Sequence, residues 1–229
     1  MQAPDAAELL GAWERSASLR PVEREDALLR LALPDDDLAG LPVGERDARL
    51  LELRELLFGD ELDGAADCPG CGEGVEYGLD TGSLLGGRPE RGTVELDVSG
   101  RLLTVRLPTG ADLTEAASAG DLEGARTLLL ERCVGESALP PDVVAELSEQ
   151  LAQVDPLVDA RLALTCPACG CRWTVALETG AWLWREVDSW ARRTLFDVHA
   201  LASAYGWSEA EILALSPERR ASYVSMVTS

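Results

Sequence analysis

Apolar side chains recur along this chain with two periods, and each predicts a different kind of element. Near the start, Ala27, Leu28 and Leu31, then Leu50, Leu53 and Leu57, return at three- and four-residue steps, the spacing of one helix face. Pro34 and the run Asp35-Asp36-Asp37 break the first of these helices, and Gly59 is placed to end the second. Over residues 93–107 the period drops to two: Val94, Leu96, Val98 and then Leu103, Val105, Leu107 alternate on either side of Ser99-Gly100, which predicts a β-hairpin. Helical spacing returns over 111–154 in three short elements, split near Gly120 and between Gly135 and Pro141. From Leu183, a stripe of Val187, Trp190, Leu195, Val198, Ala202 and Tyr205 runs for about six turns until Gly206 stops it. Ser208-Glu209-Ala210-Glu211 is a capping box, and Ser216-Pro217 opens a last helix with Pro at its first position.

Charge narrows the function classes. The 20 basic residues, all of them Arg, face 41 acidic ones, and the net charge of −21 argues against a generic nucleic-acid binder, which gains affinity by setting cations against phosphates. The chain has no Lys or Asn and a single Ile, Ile212, a bias of the kind a GC-rich genome imposes. No run of 18 apolar residues is present to span a membrane, and the first residues lack the basic and apolar regions of a secretory signal. The expected location is therefore cytoplasmic, where thiols stay reduced and closely paired Cys serve as metal ligands or redox centres. A chain this long buries enough surface to fold without disulfides.

The acidity is local, which suggests a division of the chain. Residues 1–67 form an acidic helical region, 68–107 a first Cys turn and hairpin, and 108–165 an acidic helical insertion. Residues 166–180 form a second Cys turn belonging to the same ribbon as the first, and 181–229 the C-terminal helices.

An offset of 98 lays CPGCGEGVEYGLDTG (68–82) on CPACGCRWTVALETG (166–180) without a gap, and the seven identities in 15 positions include both Cys and the Gly that follows the second. In each copy the turn runs into a period-two strand, Val75, Tyr77, Leu79 or Trp173, Val175, Leu177, so a duplicated hairpin is expected. Two thiolates two residues apart, with Gly after the second, form a knuckle that presents both sulfurs to one metal, and two knuckles complete a tetrahedral site. Cys68, Cys71, Cys166 and Cys169 are thus the expected ligands of one structural zinc ion. A closed four-thiolate shell leaves no position for water. The competing reading of Cys-Pro-x-Cys is a redox pair with a low-pKa Cys at a helix start, against which the Gly and the alternating strand count. Cys171 aligns with Glu73 and reads as a spare thiol able to substitute as a ligand; Cys133 reads as a small buried hydrophobe.

The expected fold class is α+β and mostly helical: a Cys₄ zinc ribbon of two duplicated hairpins plus a β-hairpin, with N-terminal, inserted and C-terminal helices. No catalytic constellation accompanies it. His199 is the only histidine, and there is no phosphate-binding Gly loop, nucleophile elbow or paired-His motif. Core packing is the first reading of the C-terminal tryptophans, but Trp182 and Trp184 cannot share one side of a helix, so they are the candidate partner-binding residues, one expected to contact the ribbon and the other to meet a partner. Arg192-Arg193 and Arg219-Arg220 read as solvated helix faces or as ion pairs.

Six phrases carry a resemblance: LPVGERDARLLELRELLFG (41–59), CPGCGE (68–73), RLPTGADL (106–113), LLLERC (128–133), CPACG (166–170) and FDVHALASAYGWSEAEILALSPERRASYV (196–224). In this order the chain resembles the T-even phage family of baseplate hub assembly chaperones, with relatives in gene clusters of contractile tails and extracellular contractile injection systems. The resemblance implies a non-enzymatic role in baseplate or hub assembly, with a hub, spike or tape-measure protein as partner and no nucleic acid or membrane. The alternative from composition and motif alone is a zinc-ribbon regulator that binds nucleic acid, which the acidity disfavours.

Overall fold

The computed structural model describes residues 1–86, 92–116 and 118–228. Helices α1 (Ala6–Ser16), α2 (Pro21–Ala32) and α3 (Val43–Phe58) are followed by strands β1 (Glu61–Asp67) and β2 (Gly74–Asp80) and the short helix α4 (Thr81–Leu85). Next come β3 (Thr93–Val98), β4 (Arg101–Arg106), α5 (Gly110–Ala116), α6 (Leu122–Val134) and α7 (Pro141–Val154). The chain continues through β5 (Arg161–Thr165), β6 (Arg172–Ala176), α8 (Thr179–Tyr205), α9 (Glu209–Leu213) and α10 (Pro217–Val227). The fold is α+β and 55% helical, and its described strands pair only as small antiparallel hairpins, β1–β2, β3–β4 and β5–β6. No described helix is long and apolar enough to cross a membrane. The chain divides into two compact units, Met1–Asp36 with Thr179–Ser229, and Asp37–Glu178.

The first unit is helical. Asp5 and Glu8 form a capping box that starts α1: the Glu8 amide donates to Asp5 at 2.8 Å and the Asp5 amide to Glu8 at 2.9 Å. Leu10 of α1, Ala191 of α8 and Leu213 of α9 make a buried cluster on which Trp13, Trp190 and Val198 pack. Trp13 donates its indole N–H to Asp188 at 2.9 Å. The buried seam of α8 is Leu183, Val187, Ala191, Thr194 and Leu201. It departs from the stripe expected from the sequence: Val187 is buried and Trp190 and Val198 pack on the Ala191 cluster, but Leu195 and Tyr205 are exposed. Gly206, at φ +71°, stops α8, and Ser208 and Glu211 cap α9 reciprocally as expected. Ser216 caps α10 and Pro217 opens it.

In the second unit the hairpin β3–β4 turns at Ser99 and Gly100, both with positive φ, and its apolar positions pair across the strands as Val94 with Val105 and Leu96 with Leu103. Glu146 of α7 secures that turn by accepting from the Ser99 amide at 3.0 Å and hydroxyl at 2.7 Å. The hairpin packs on α6 and α7 around Val98, Leu103, Val105, Leu107, Leu130, Cys133, Val144 and Leu147. Cys133 is buried there, and burial pushes its thiol up to about 11.

Of the buried acidic side chains in this unit, Glu45, Asp112 and Asp155, the two aspartates stand in opposite circumstances. Asp112 accepts from both terminal nitrogens of Arg106 (2.6 and 3.0 Å), from Nε of Arg132 at 3.0 Å, and from the Thr109 amide and hydroxyl at 2.8 and 2.7 Å. The Arg106 guanidinium outweighs burial and, with Thr109 and Arg132, holds the Asp112 carboxyl far below the usual carboxylate range. Asp155 follows α7 with both carboxyl oxygens buried and no cationic side chain beside them among the described residues. The amides of Gly44, Leu157 and Val158 face it, yet burial prevails and pushes it up. It lies so close to the first turn of α3 that a Cβ at Gly44 would overlap its carboxylate. The start of α3 also meets the end of β4: the Val43 amide donates to Pro108 at 2.8 Å, and Pro42 bridges to Thr109.

Candidate metal centre

Each Cys pair sits at the tip of a hairpin whose two strands emerge from the turn in register. In the first, Ala66 pairs with Val75 and Asp67 with Gly74; in the second, Leu164 pairs with Trp173 and Thr165 with Arg172. The turns repeat bond for bond at the offset of 98. The Cys68 amide donates to Glu73 at 2.8 Å and the Gly72 amide to Cys68 at 2.8 Å; the Cys166 amide donates to Cys171 at 2.9 Å and the Gly170 amide to Cys166 at 3.0 Å. Gly72 and Gly170 stand at φ +76° and +72°, a conformation that costs a side-chain-bearing residue about 1–2 kcal/mol, so the Gly after the second Cys is what lets each knuckle close.

The two tips bring four sulfurs together. Sγ of Cys68 lies 3.6 Å from that of Cys169, Sγ of Cys71 lies 3.7 Å from that of Cys166, and all four fall within 4.8 Å of one another, the one such group among the described residues. A disulfide needs about 2.05 Å, and all six cysteines are free thiols. The edge of a tetrahedron with metal–sulfur bonds of about 2.3 Å is roughly 3.8 Å, so the donor set and its spacing fit a single ion. The first Cys of each knuckle, Cys68 and Cys166, is buried, whereas the second, Cys71 and Cys169, is exposed. Val75 and Trp173 pack beside the buried pair.

The electrostatics of the cluster ask for a cation. Burial alone would push the Cys68 thiol up, but the Gly70 and Cys71 amides and the neighbouring Cys169 and Cys166 thiols bring it down to about 6, the Gly70 amide at 3.4 Å from the sulfur. Cys71 receives the Glu73 amide, yet Cys169 and Cys166 compete for the same negative charge and it rises to about 12. The two thiols of the first knuckle are thus driven in opposite directions by the same neighbours, and a dication would stabilise the set as thiolates.

The other sequence-predicted residues lie elsewhere. Trp182 is buried, and Trp184 is half-buried with the Arg24 guanidinium 4.8 Å above its ring. His199 is exposed on α8. Arg192 pairs with Asp188 at 2.8 Å, and Arg220, which is buried, pairs with Asp197 at 3.3 Å. Cys171 is half-buried beside the four thiols and is not one of them. No family model matches this chain, and neither curated proteins nor solved structures provide a match.

Proposed function

We propose that the paired hairpins form a structural Cys₄ zinc ribbon in a non-enzymatic assembly protein, which builds the baseplate or hub of a contractile tail or injection system by binding a hub, spike or tape-measure protein. The observation that carries the metal reading is the closed set of four thiols with inter-knuckle edges of 3.6 and 3.7 Å. Zinc suits it because four thiolates in a tetrahedron are a common structural zinc shell, and such a shell leaves no open position for a substrate.

The assembly reading rests on the order of the six phrases and on the absence of any catalytic constellation in the sequence. Surface charge supports a basic partner: on one face of β1–β2, Glu61, Asp63, Asp67, Glu76 and Asp80 are all exposed. The expected result is one zinc per purified chain, together with co-purification of a hub, spike or tape-measure protein when the neighbouring genes are co-expressed. Metal-free protein defeats the ribbon, and failure to retain any of those three classes of partner defeats the assembly role. A mobility shift of nucleic acid at physiological salt would move the reading to the regulator.

A further inference from the structure

Beside the four ligands lies a fifth thiol, and it marks a difference between two otherwise repeated knuckles. Where the first turn has Glu73, the second has Cys171; where the second has Ala168, the first has Gly70. These two differences meet. A Cβ at Gly70 would stand 3.2 Å from Cβ and 3.4 Å from Sγ of Cys171, and 3.5 Å from Sγ of Cys169. The missing side chain at Gly70 thus makes the room that Cys171 occupies, and the sulfurs of Cys169 and Cys171 lie within about 7 Å of each other. Only the left-handed Gly170 separates the two residues, so their Cα atoms can come within the ~7 Å that a disulfide tolerates. Cys169 is exposed to solvent, and Cys171 is half-buried against the cluster of Cys68, Val75 and Cys166.

We propose that Cys169 and Cys171 form an oxidation-sensitive pair in which Cys171 resolves the oxidised ligand and thereby opens the metal site. This rests on the zinc reading above. With a small peroxide as oxidant, the exposed Cys169 thiolate takes one oxygen as the O–O bond breaks, giving a sulfenic acid and hydroxide. The Cys171 thiol then attacks that sulfur, the S–S bond forms, and the sulfenic oxygen leaves as water with the thiol proton. Two electrons pass from the two sulfurs to the peroxide, and three thiolates remain where four held the ion.

The full chain is analysed first for zinc, then treated with hydrogen peroxide while a chromogenic chelator follows metal release and peptide mapping locates disulfides. Zinc release with a Cys169–Cys171 disulfide, reversed by dithiothreitol, is the expected result. Cys171→Ser keeps all four ligands; it should load zinc fully yet recover less zinc than the unmodified chain after oxidation and reduction, because its oxidised Cys169 partitions between a disulfide with the ligand Cys68, 3.6 Å away, and irreversible sulfinic acid. Equal recovery in Cys171→Ser, or disulfides confined to pairs of ligands, overturns the inference. Absence of zinc before oxidation overturns the ribbon reading instead, so the two failures are distinct. The disulfide map of the unmodified chain decides the matter even where Cys171→Ser loads zinc poorly.

Discussion

Asp112 and Asp155 are both buried aspartates in the same unit, yet their charge has opposite consequences. Asp112 is met by two guanidinium groups, a hydroxyl and an amide, so truncating it strands Arg106 and Arg132 beside an empty site. Asp112→Ala should lower unfolding free energy by about 3 kcal/mol in urea titration at pH 7. Because its folded pKa is depressed, its contribution is present above the unfolded value of about 4 and is lost as pH falls below it. Asp155 has the reverse sign: with a folded pKa raised by burial, its contribution is present below about 4 and is lost as pH rises through the folded value. Asp155→Asn should therefore cost no stability at pH 7, whereas Asp112→Asn should cost about 2 kcal/mol under the same conditions. Gly44→Ala, by contrast, drives a methyl into the Asp155 carboxylate and should destabilise by about 1–3 kcal/mol. A neutral Gly44→Ala would show that the start of α3 yields easily.

Among the elements, those with strong local signals were the legible ones. The alternation about Ser99-Gly100 marked β3 and β4, and the caps at Ser208 and Ser216 marked α9 and α10, since backbone hydrogen bonding and apolar period are both written within a few residues. The four thiols were readable for the same reason: the turn needs its Gly locally, and the repeat supplies the partner. Strand β1 was not. Its sequence ELDGAAD contains no β-branched or aromatic residue, and at the 98 offset only Ala65 and Ala163 agree, so it is extended because β2 pairs with it, not because of its own propensity. Helix α1 did have a signal, the Asp5–Glu8 capping box ahead of Leu9 and Leu10. The phrases that carry the family resemblance also gain a physical account. RLPTGADL supplies Arg106, Thr109 and Asp112, LLLERC supplies Arg132, and the start of the 41–59 phrase bridges to Thr109, so these stretches hold one another in place. Removing a cap tests this kind of local coding: Ser208→Ala should destabilise the helical unit by about 1 kcal/mol in thermal or denaturant unfolding.

At the scale of the molecule, the placement of tryptophans gives each unit its own reporter. Trp173 lies beside the thiol cluster in the second unit, while Trp13, Trp182, Trp184, Trp190 and Trp207 all belong to the first. Under the zinc reading, chelation should change the emission of Trp173, and the change should vanish in Trp173→Phe; persistence there would mean that metal loss spreads into the helical unit. Cys68→Ser should likewise abolish metal binding, forfeiting much of a free energy on the order of 10 kcal/mol. Finally, the helical unit is assembled from both ends of the sequence, Met1–Asp36 and Thr179–Ser229, around one uninterrupted segment. On a ribosome this sets an order of events. The leucines of α1 and α2 must wait through the synthesis of about 140 further residues before α8 arrives to pack on them, whereas the two knuckle hairpins can bring their four thiols together before α8 is made. Under the zinc reading, a chain truncated after Glu178 should therefore hold metal while its first helices remain open to protease.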